Sequence, residues 1–246
     1  MVLLVTGGGR GIGAATARLA AARGYSVAVN YRANRDSAQR VVAEIEQAGG
    51  RAVAIQADVS DEPQVRRLFE ETDRAFGVLT GLVNNAAVLE QQMRLEAMAA
   101  DRLQRIFAIN ITGAFLCARE AVRRMSQALG GRGGAIVNVS SAAARLGAPG
   151  EYVDYAASKA AIEAMTVGLA REVAAEGIRV NAVRPGVIYT ELHASGGEPE
   201  RVDRVKTTVP MQRGGHAEEV ARAILWLLSD EASYSTGTVI DVSGGR

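Results

Sequence analysis

Tyr155-Ala156-Ala157-Ser158-Lys159 sets a phenol and an amine four residues apart. On a helix that spacing puts both on one face. A free phenol has a pKa near ~10, too high to exchange a proton readily at neutral pH. A neighbouring ammonium favours the phenolate and is expected to lower that value. The pair then serves as a general acid/base for a carbonyl–alcohol interconversion. Tyr152 does not qualify, because the residue four later is Ala156.

A second signal lies near the start. An apolar run, Val2–Val5, leads into Thr6-Gly7-Gly8-Gly9-Arg10-Gly11-Ile12-Gly13. Glycines let the backbone turn sharply and approach a ligand. The helix that follows aims its N-terminal amides at whatever sits above, which suits a diphosphate. Gly7, Gly9, Arg10, Gly11, Ile12 and Gly13 are therefore candidate dinucleotide contacts. The next strand ends in Val29-Asn30-Tyr31-Arg32, with no acidic residue to hold a ribose 2′-hydroxyl. Arg32 and Arg35 can pair a 2′-phosphate, and Arg10 adds charge in the turn. NADP(H) is expected in preference to NAD(H), with Asn30, Tyr31 and Arg32 beside it. Asp58, ahead of Val59, suits either an adenine amino group or the cap of the following helix.

Such groups need elements to hold them. Short Val/Ile/Leu/Ala runs alternate with amphipathic stretches. The spacing predicts strands at Val2–Val5, Ser26–Asn30, Ala52–Gln56, Gly81–Asn84, Ala135–Val139, Ile178–Val183 and Thr238–Val242. Helices are expected near Ile12–Arg23, Asp36–Ala48, Glu62–Phe76, Glu96–Leu129, Tyr155–Glu176 and Ala217–Ser229. Unbroken apolar strands are those covered on both faces. The regular alternation predicts an α/β fold: a Rossmann-like, doubly wound parallel sheet of seven strands with helices on both faces. No linker interrupts it, so residues 1–246 read as one NAD(P)-binding domain. The polar stretch His193–Pro210 breaks the rhythm and reads as a substrate lid, with bounds near 188 and 212.

Thr6–Gly13, Asn84-Asn85-Ala86-Ala87, Asn110, Ser140-Ser141, Tyr155–Lys159 and Pro185-Gly186 occur in the order found in short-chain dehydrogenases/reductases. The chain resembles that family over essentially its whole length. It is most similar to the single-domain branch with 3-oxoacyl-carrier-protein reductases and glucose 1-dehydrogenases. The stretches Gly150–Tyr155 and His193–Pro199 resemble a bacterial subgroup of oxidoreductases. The resemblance implies that Tyr155 is the acid/base and that Lys159 lowers its pKa and holds the nicotinamide ribose. It implies that Ser141, rather than Ser140, binds the substrate oxygen. The same resemblance implies that Asn110 anchors a water joining Lys159 to solvent, that Asn85, Ala86 and Ala87 lie against the cofactor ribose, and that Pro185, Gly186, Ile188 and Thr190 shape the carboxamide site. A homotetramer, or failing that a homodimer, follows from the same likeness. Two departures stand out. Ala87 replaces a usual glycine, and the segment from Ser141 to Tyr155 is one residue longer than in the acyl reductases.

Composition sets the outer bounds. Lys and Arg number 28 against 27 Asp and Glu, so the chain lacks the basic patch that nucleic acid or an anionic membrane would select. A single cysteine, Cys117, excludes a disulfide framework. Cys117 itself reads as a buried helix residue, and Trp226 as core or subunit contact. Two histidines, His193 and His216, stand too far apart for a metal site, and none is expected. Met1 directly before an apolar strand leaves no room for a signal peptide, so cytoplasmic residence is expected. Glu90, Gln91, Gln92, Arg145, Glu151, Tyr189 and His193 fall on the expected pocket rim. The substrate expected is thus a small polar carbonyl or polyol. The alternatives are a 3-oxoacyl-carrier-protein reductase and a non-catalytic NADP(H)-binding regulator.

Overall fold

The structure, a computed structural model, describes residues 1–246. The chain runs through β1 (Val2–Val5), α1 (Gly11–Ala22), β2 (Ser26–Tyr31), α2 (Arg35–Gln47), β3 (Arg51–Gln56) and α3 (Glu62–Phe76). It continues through β4 (Gly81–Asn84), α4 (Ala100–Phe107), α5 (Gly113–Met125), β5 (Gly134–Val139) and α6 (Ala143–Leu146). α7 (Val153–Val173), β6 (Ile178–Pro185), α8 (Leu192–Ser195), α9 (Arg201–Val205), α10 (Ala217–Leu228) and β7 (Val239–Val242) complete it. All strands pair in parallel, in the order β3-β2-β1-β4-β5-β6-β7. The order reverses between β1 and β4, and such a switch point opens a crevice at the carboxyl ends of the strands.

Both faces of the sheet are covered, as the unbroken apolar strands require. On one face α1, α2 and α10 pack through Ala14, Ala17, Val41, Ile45 and Ile224. Alanines along α1 let that helix lie close to the sheet. On the other face Leu68, Phe69, Cys117, Met125 and Val173 fill the core. Phe69 is wholly buried, and Phe69→Ala is expected to lose about 3–5 kcal/mol. Trp226 faces outward on α10, 37% exposed between buried Leu225 and Leu227, so it is not core. No helix is long and apolar enough to cross a membrane.

The helix starts follow local chemistry. Asn34 Oδ1 accepts a hydrogen bond from Ser37 N (3.0 Å) ahead of α2, and Asp61 Oδ1 accepts one from Gln64 N (3.0 Å) ahead of α3. Asp58 is therefore not the α3 cap; its Oδ1 accepts from Ser60 N (2.9 Å) and Ser60 Oγ (2.6 Å). At the start of α10, Glu219 Oε2 accepts a hydrogen bond from His216 N (2.8 Å). The continuous helix expected over Glu96–Leu129 is broken. α4 and α5 are separated by a π-helical segment, Ala108–Thr112, that carries Asn110. A π-bulge of this kind commonly marks a functional position.

Candidate active site

Thr6 ties the ends of β1 and β4 together. Its Oγ1 accepts from Asn85 N and Ala86 N (3.0 Å each) and donates to Val83 O (3.3 Å). Asn85 Nδ2 donates to Thr6 O (2.9 Å) and Gly7 O (3.1 Å). Asn30 does the same for β2: its Oδ1 accepts from Gly7 N (3.2 Å), and its Nδ2 donates to Ala57 O (3.1 Å) and Ile55 O (3.3 Å). These bonds hold open a cleft of about 350 Å³ over the carboxyl ends of β1 to β4. Gly7, Gly9, Arg10, Gly11, Ile12, Asn30, Tyr31, Arg32, Asp58, Val59, Asn85, Ala86, Ala87 and Thr190 line it.

Two features of this cleft fit a dinucleotide. α1 begins with no side-chain cap and no acidic residue in its first turn, leaving its amides open to a diphosphate. Gly11, at φ +52°, presents bare backbone to the cleft and would press a Cβ on Thr190. Gly13 does not line the cleft. A Cβ there would lie 2.5 Å from Gly7 O and 2.6 Å from Asn85 Nδ2, so this glycine allows close packing under the turn. Arg35 also falls outside the wall, where Asn34 and Ser37 stand instead. Arg32 is 55% exposed, and its Nη1 lies 3.8 Å from Asp58 Oδ2. Arg10 Nη1 reaches across to Ser195 Oγ (3.4 Å) on α8.

A second cleft of about 340 Å³ opens beside the first, and the two share Ile12, Asn85, Ala87, Thr190 and Leu192. Ser141, Tyr155, Lys159, Pro185, Gly186 and Ile188 line it. Tyr155 is 7% exposed and meets Tyr152 edge to face, 5.9 Å between ring centres. Lys159 Nζ sits 5.6 Å from the Tyr155 ring centre and donates to Val139 O (2.7 Å). The phenol is not acidified in this arrangement. Burial pushes Tyr155 up to about 12, and the Ser141 hydroxyl hydrogen-bonded to it pulls the other way. Burial likewise brings Lys159 down to about 8. Burial is the largest influence on this phenol, and the ammonium gives its hydrogen bond to Val139 O rather than to Tyr155.

The two serines separate cleanly. Ser140 Oγ donates to Glu163 Oε1 (2.7 Å), and Glu163 is held by Arg184 at 2.7 Å. Ser141 Oγ accepts only from Ala143 N (3.1 Å) among backbone donors and faces the phenol. Asn110 is buried and lines neither cleft. Its Oδ1 accepts from Val88 N (2.8 Å), and its Nδ2 donates to Val88 O (3.0 Å) and Ser158 Oγ (3.1 Å). It thereby clamps the segment after β4 onto α7. Ala87 keeps an ordinary negative φ, so its methyl brings no backbone strain. In the longer Ser141–Tyr155 segment, Ala148 stands at φ 46°.

Several residues here gave no sequence signal. Arg102 and Asp154 form a buried pair (Nε–Oδ2 2.7 Å) that fixes the start of α7, and Asp154 Oδ1 accepts from Tyr155 N (2.9 Å). Arg201 stands in the second cleft over the Tyr152 ring (4.9 Å) and is held by Glu151 at 2.6 and 3.0 Å. Arg246 reaches the same wall from the C-terminus. Ion pairing across 50 positions of sequence has no local pattern to betray it. His193 and Leu192 enter the cleft from α8, within the stretch expected to form the lid.

Comparison with known proteins agrees with this geometry. A family model described as Enoyl-(Acyl carrier protein) reductase matches residues 7–246. An uncharacterized oxidoreductase of Escherichia coli K12, YgfF, is 62% identical over 245 residues, covering 100% of this chain and 99% of that protein. The 3-oxoacyl-[acyl-carrier-protein] reductase FabG of Staphylococcus aureus is 38% identical, covering 98% and 96%. A solved short-chain dehydrogenase of Burkholderia cenocepacia, in complex with NADP, superposes with a TM-score of 0.90 at 36% identity, covering 99% and 96%. With the family model matching residues 7–246 and these relatives matching along nearly their whole length, the chain belongs to the short-chain dehydrogenase/reductase family of oxidoreductases.

Proposed function

We propose that the chain is an NADP(H)-dependent oxidoreductase interconverting a small polar carbonyl compound and its secondary alcohol. The observation that carries this reading is the placement of Tyr155, Ser141 and Lys159 in one cleft continuous with the glycine-lined one. When bound, the nicotinamide supplies or accepts the hydride. In the reducing direction the carbonyl carbon gains that hydride and the carbonyl oxygen takes the Tyr155 proton, so C=O becomes CH–OH. Ser141 orients the oxygen beside the phenol. Tyr155 is protonated at neutral pH, and because burial pushes it up to about 12 the Ser141 hydroxyl and the charge of Lys159 must offset that push as the proton leaves. Lys159 holds the ribose hydroxyls and supplies positive charge as the phenolate forms. Asn110 positions α7 and the segment after β4 and, with Lys159, serves the water relay.

Preference for NADP(H) rests on Arg32 and Arg10 in the cleft wall and on the lack of an acid at the end of β2. The NADP in the Burkholderia relative supports it. Residues 188–212 serve as the substrate lid of one domain spanning 1–246. Cytoplasmic residence and a homotetramer belong to the same reading. A second reading, a 3-oxoacyl-carrier-protein reductase, is favoured by the likeness to FabG. The charged far wall around Arg201 and Glu151 argues for a shorter, more polar substrate.

Tyr155→Phe tests the assignment. Turnover is expected to fall by about 10³-fold, within the range for losing a general acid, while fluorescence titration shows NADPH affinity within about twofold. Near-normal turnover in that variant would remove the reading.

A further inference from the structure

The far wall of the second cleft poses a problem of its own. His193 Nδ1 is buried without a hydrogen-bond partner. Three other buried side-chain atoms share that condition, on Asp73, Asn84 and Arg119, and none of those residues lines the substrate cleft. Leaving a buried polar atom unpaired is costly, and a ligand that provides the partner recovers that cost. We propose that His193, beside Arg201 and Glu151, is a recognition site for a hydroxyl group on a neutral substrate. The compound this protein reduces then carries at least one free hydroxyl besides its reducible carbonyl. This rests on the oxidoreductase reading above and narrows its substrate class.

The chemistry of the wall selects the hydroxyl. Burial, and then the Arg201 guanidinium, hold the imidazole below its ordinary pKa, against weaker opposing effects of the Ile188 backbone and Glu198. His193 is therefore neutral near pH 7, with one ring nitrogen a donor and the other an acceptor. A hydroxyl both donates and accepts, so it completes Nδ1 in either tautomer. A thioester carbonyl or a carboxylate only accepts. The charges of the wall also balance. Arg201 is held by Glu151 and by Glu198 (3.1 Å), and Arg204 pairs with the same two acids. The four-residue cluster around Arg201 thus carries no net positive charge, and Arg246, on the same cleft, is the cation that the 4-oxopentanoate arm below tests. Leu89, Ala148 and Leu192 supply an apolar shelf along the same cleft, fit for a short carbon chain.

The test compares 2-pentanone with its 3-, 4- and 5-hydroxy derivatives and with 4-oxopentanoate, using NADPH. A binding arm measures 2-pentanol against 2,3-, 2,4- and 1,4-pentanediol on the NADPH-loaded enzyme by calorimetry, independent of turnover. At least one hydroxylated member is expected to exceed its parent about tenfold in kcat/KM and in affinity, the order of one net hydrogen bond. In His193→Leu that ratio is expected to fall towards one. His193→Asn, which keeps a donor and an acceptor, retains most of it. NADPH affinity confirms that both variants fold. The proposal is overturned if no hydroxylated member beats its parent, if the ratio survives in His193→Leu, or if 4-oxopentanoate is the favoured ketone. Hydroxyl preference in binding with no turnover of any ketone would instead count against the oxidoreductase reading alone.

Discussion

The dinucleotide half of the cleft is built around a glycine turn that offers backbone, the substrate half around side chains from separate segments. In the first, Gly7, Gly9 and Gly11 and the uncapped start of α1 form the surface. In the second, Tyr155, Lys159, Arg201, Glu151 and His193 do. A backbone wall is made by one local turn and reads any diphosphate alike. A side-chain wall is assembled from α6 to α9 and their connections, and it can change its ligand by changing one residue.

The most damaging way to break the comparison lies under the substrate half. Arg102→Ala strands Asp154 as an unpaired buried charge, and removing one partner of a buried pair is expected to cost about 3–5 kcal/mol. Denaturant unfolding checks this, and the double variant Arg102→Met/Asp154→Asn should recover much of the loss. Next comes the support of the backbone wall. In Gly13→Ala a methyl meets Gly7 O and Asn85 Nδ2, so about 1–3 kcal/mol of overpacking is expected. NADPH dissociation should rise at least about tenfold as the turn shifts.

Lys159, at the boundary of the halves, sharpens the contrast through pH. Its folded pKa of about 8 lies below its ordinary 10.5, so the unfolded chain binds more protons between those values. Wild-type stability should therefore gain on Lys159→Met as pH rises from about 8 to about 10.5, and run parallel to it below. Tyr155 works oppositely: with its folded value near 12 against 10.0, it withdraws stability over that higher window. Unfolding curves across pH 7–11 separate the two. A flat difference between wild type and Lys159→Met would mean that the amine is not desolvated. The smallest effect is expected at the exposed rim. Arg32→Ala should lower the NADPH-over-NADH preference about tenfold, as expected for one charge-assisted contact, read from paired kcat/KM values.

Legibility followed the same division. The seven parallel strands and most helix spans were readable because apolar runs and their period are local properties. Tyr155 and Lys159 were readable because their spacing is local, Ser141 only through the resemblance to a family, and all three reach one cleft. The break at Ala108–Thr112 was not, because it depends on Asn110 meeting Val88 and Ser158. Gly13 was assigned to the cofactor although its neighbour is the underside of its own turn. Asp58 gave up the α3 cap to Asp61, three residues on, which a sequence pattern does not distinguish.

The amino-acid sequence by itself determined the α/β alternation, the glycine turn and the helical pairing of phenol with amine, since each is settled within a few residues by backbone sterics and period. Only the tertiary structure decided the surroundings of that phenol, because burial, a property of the whole packed chain, is what pushes it up. It alone also placed Arg201 on Glu151 and left His193 Nδ1 without a partner, for contacts between distant segments exist only once the sheet and its helices have closed around them.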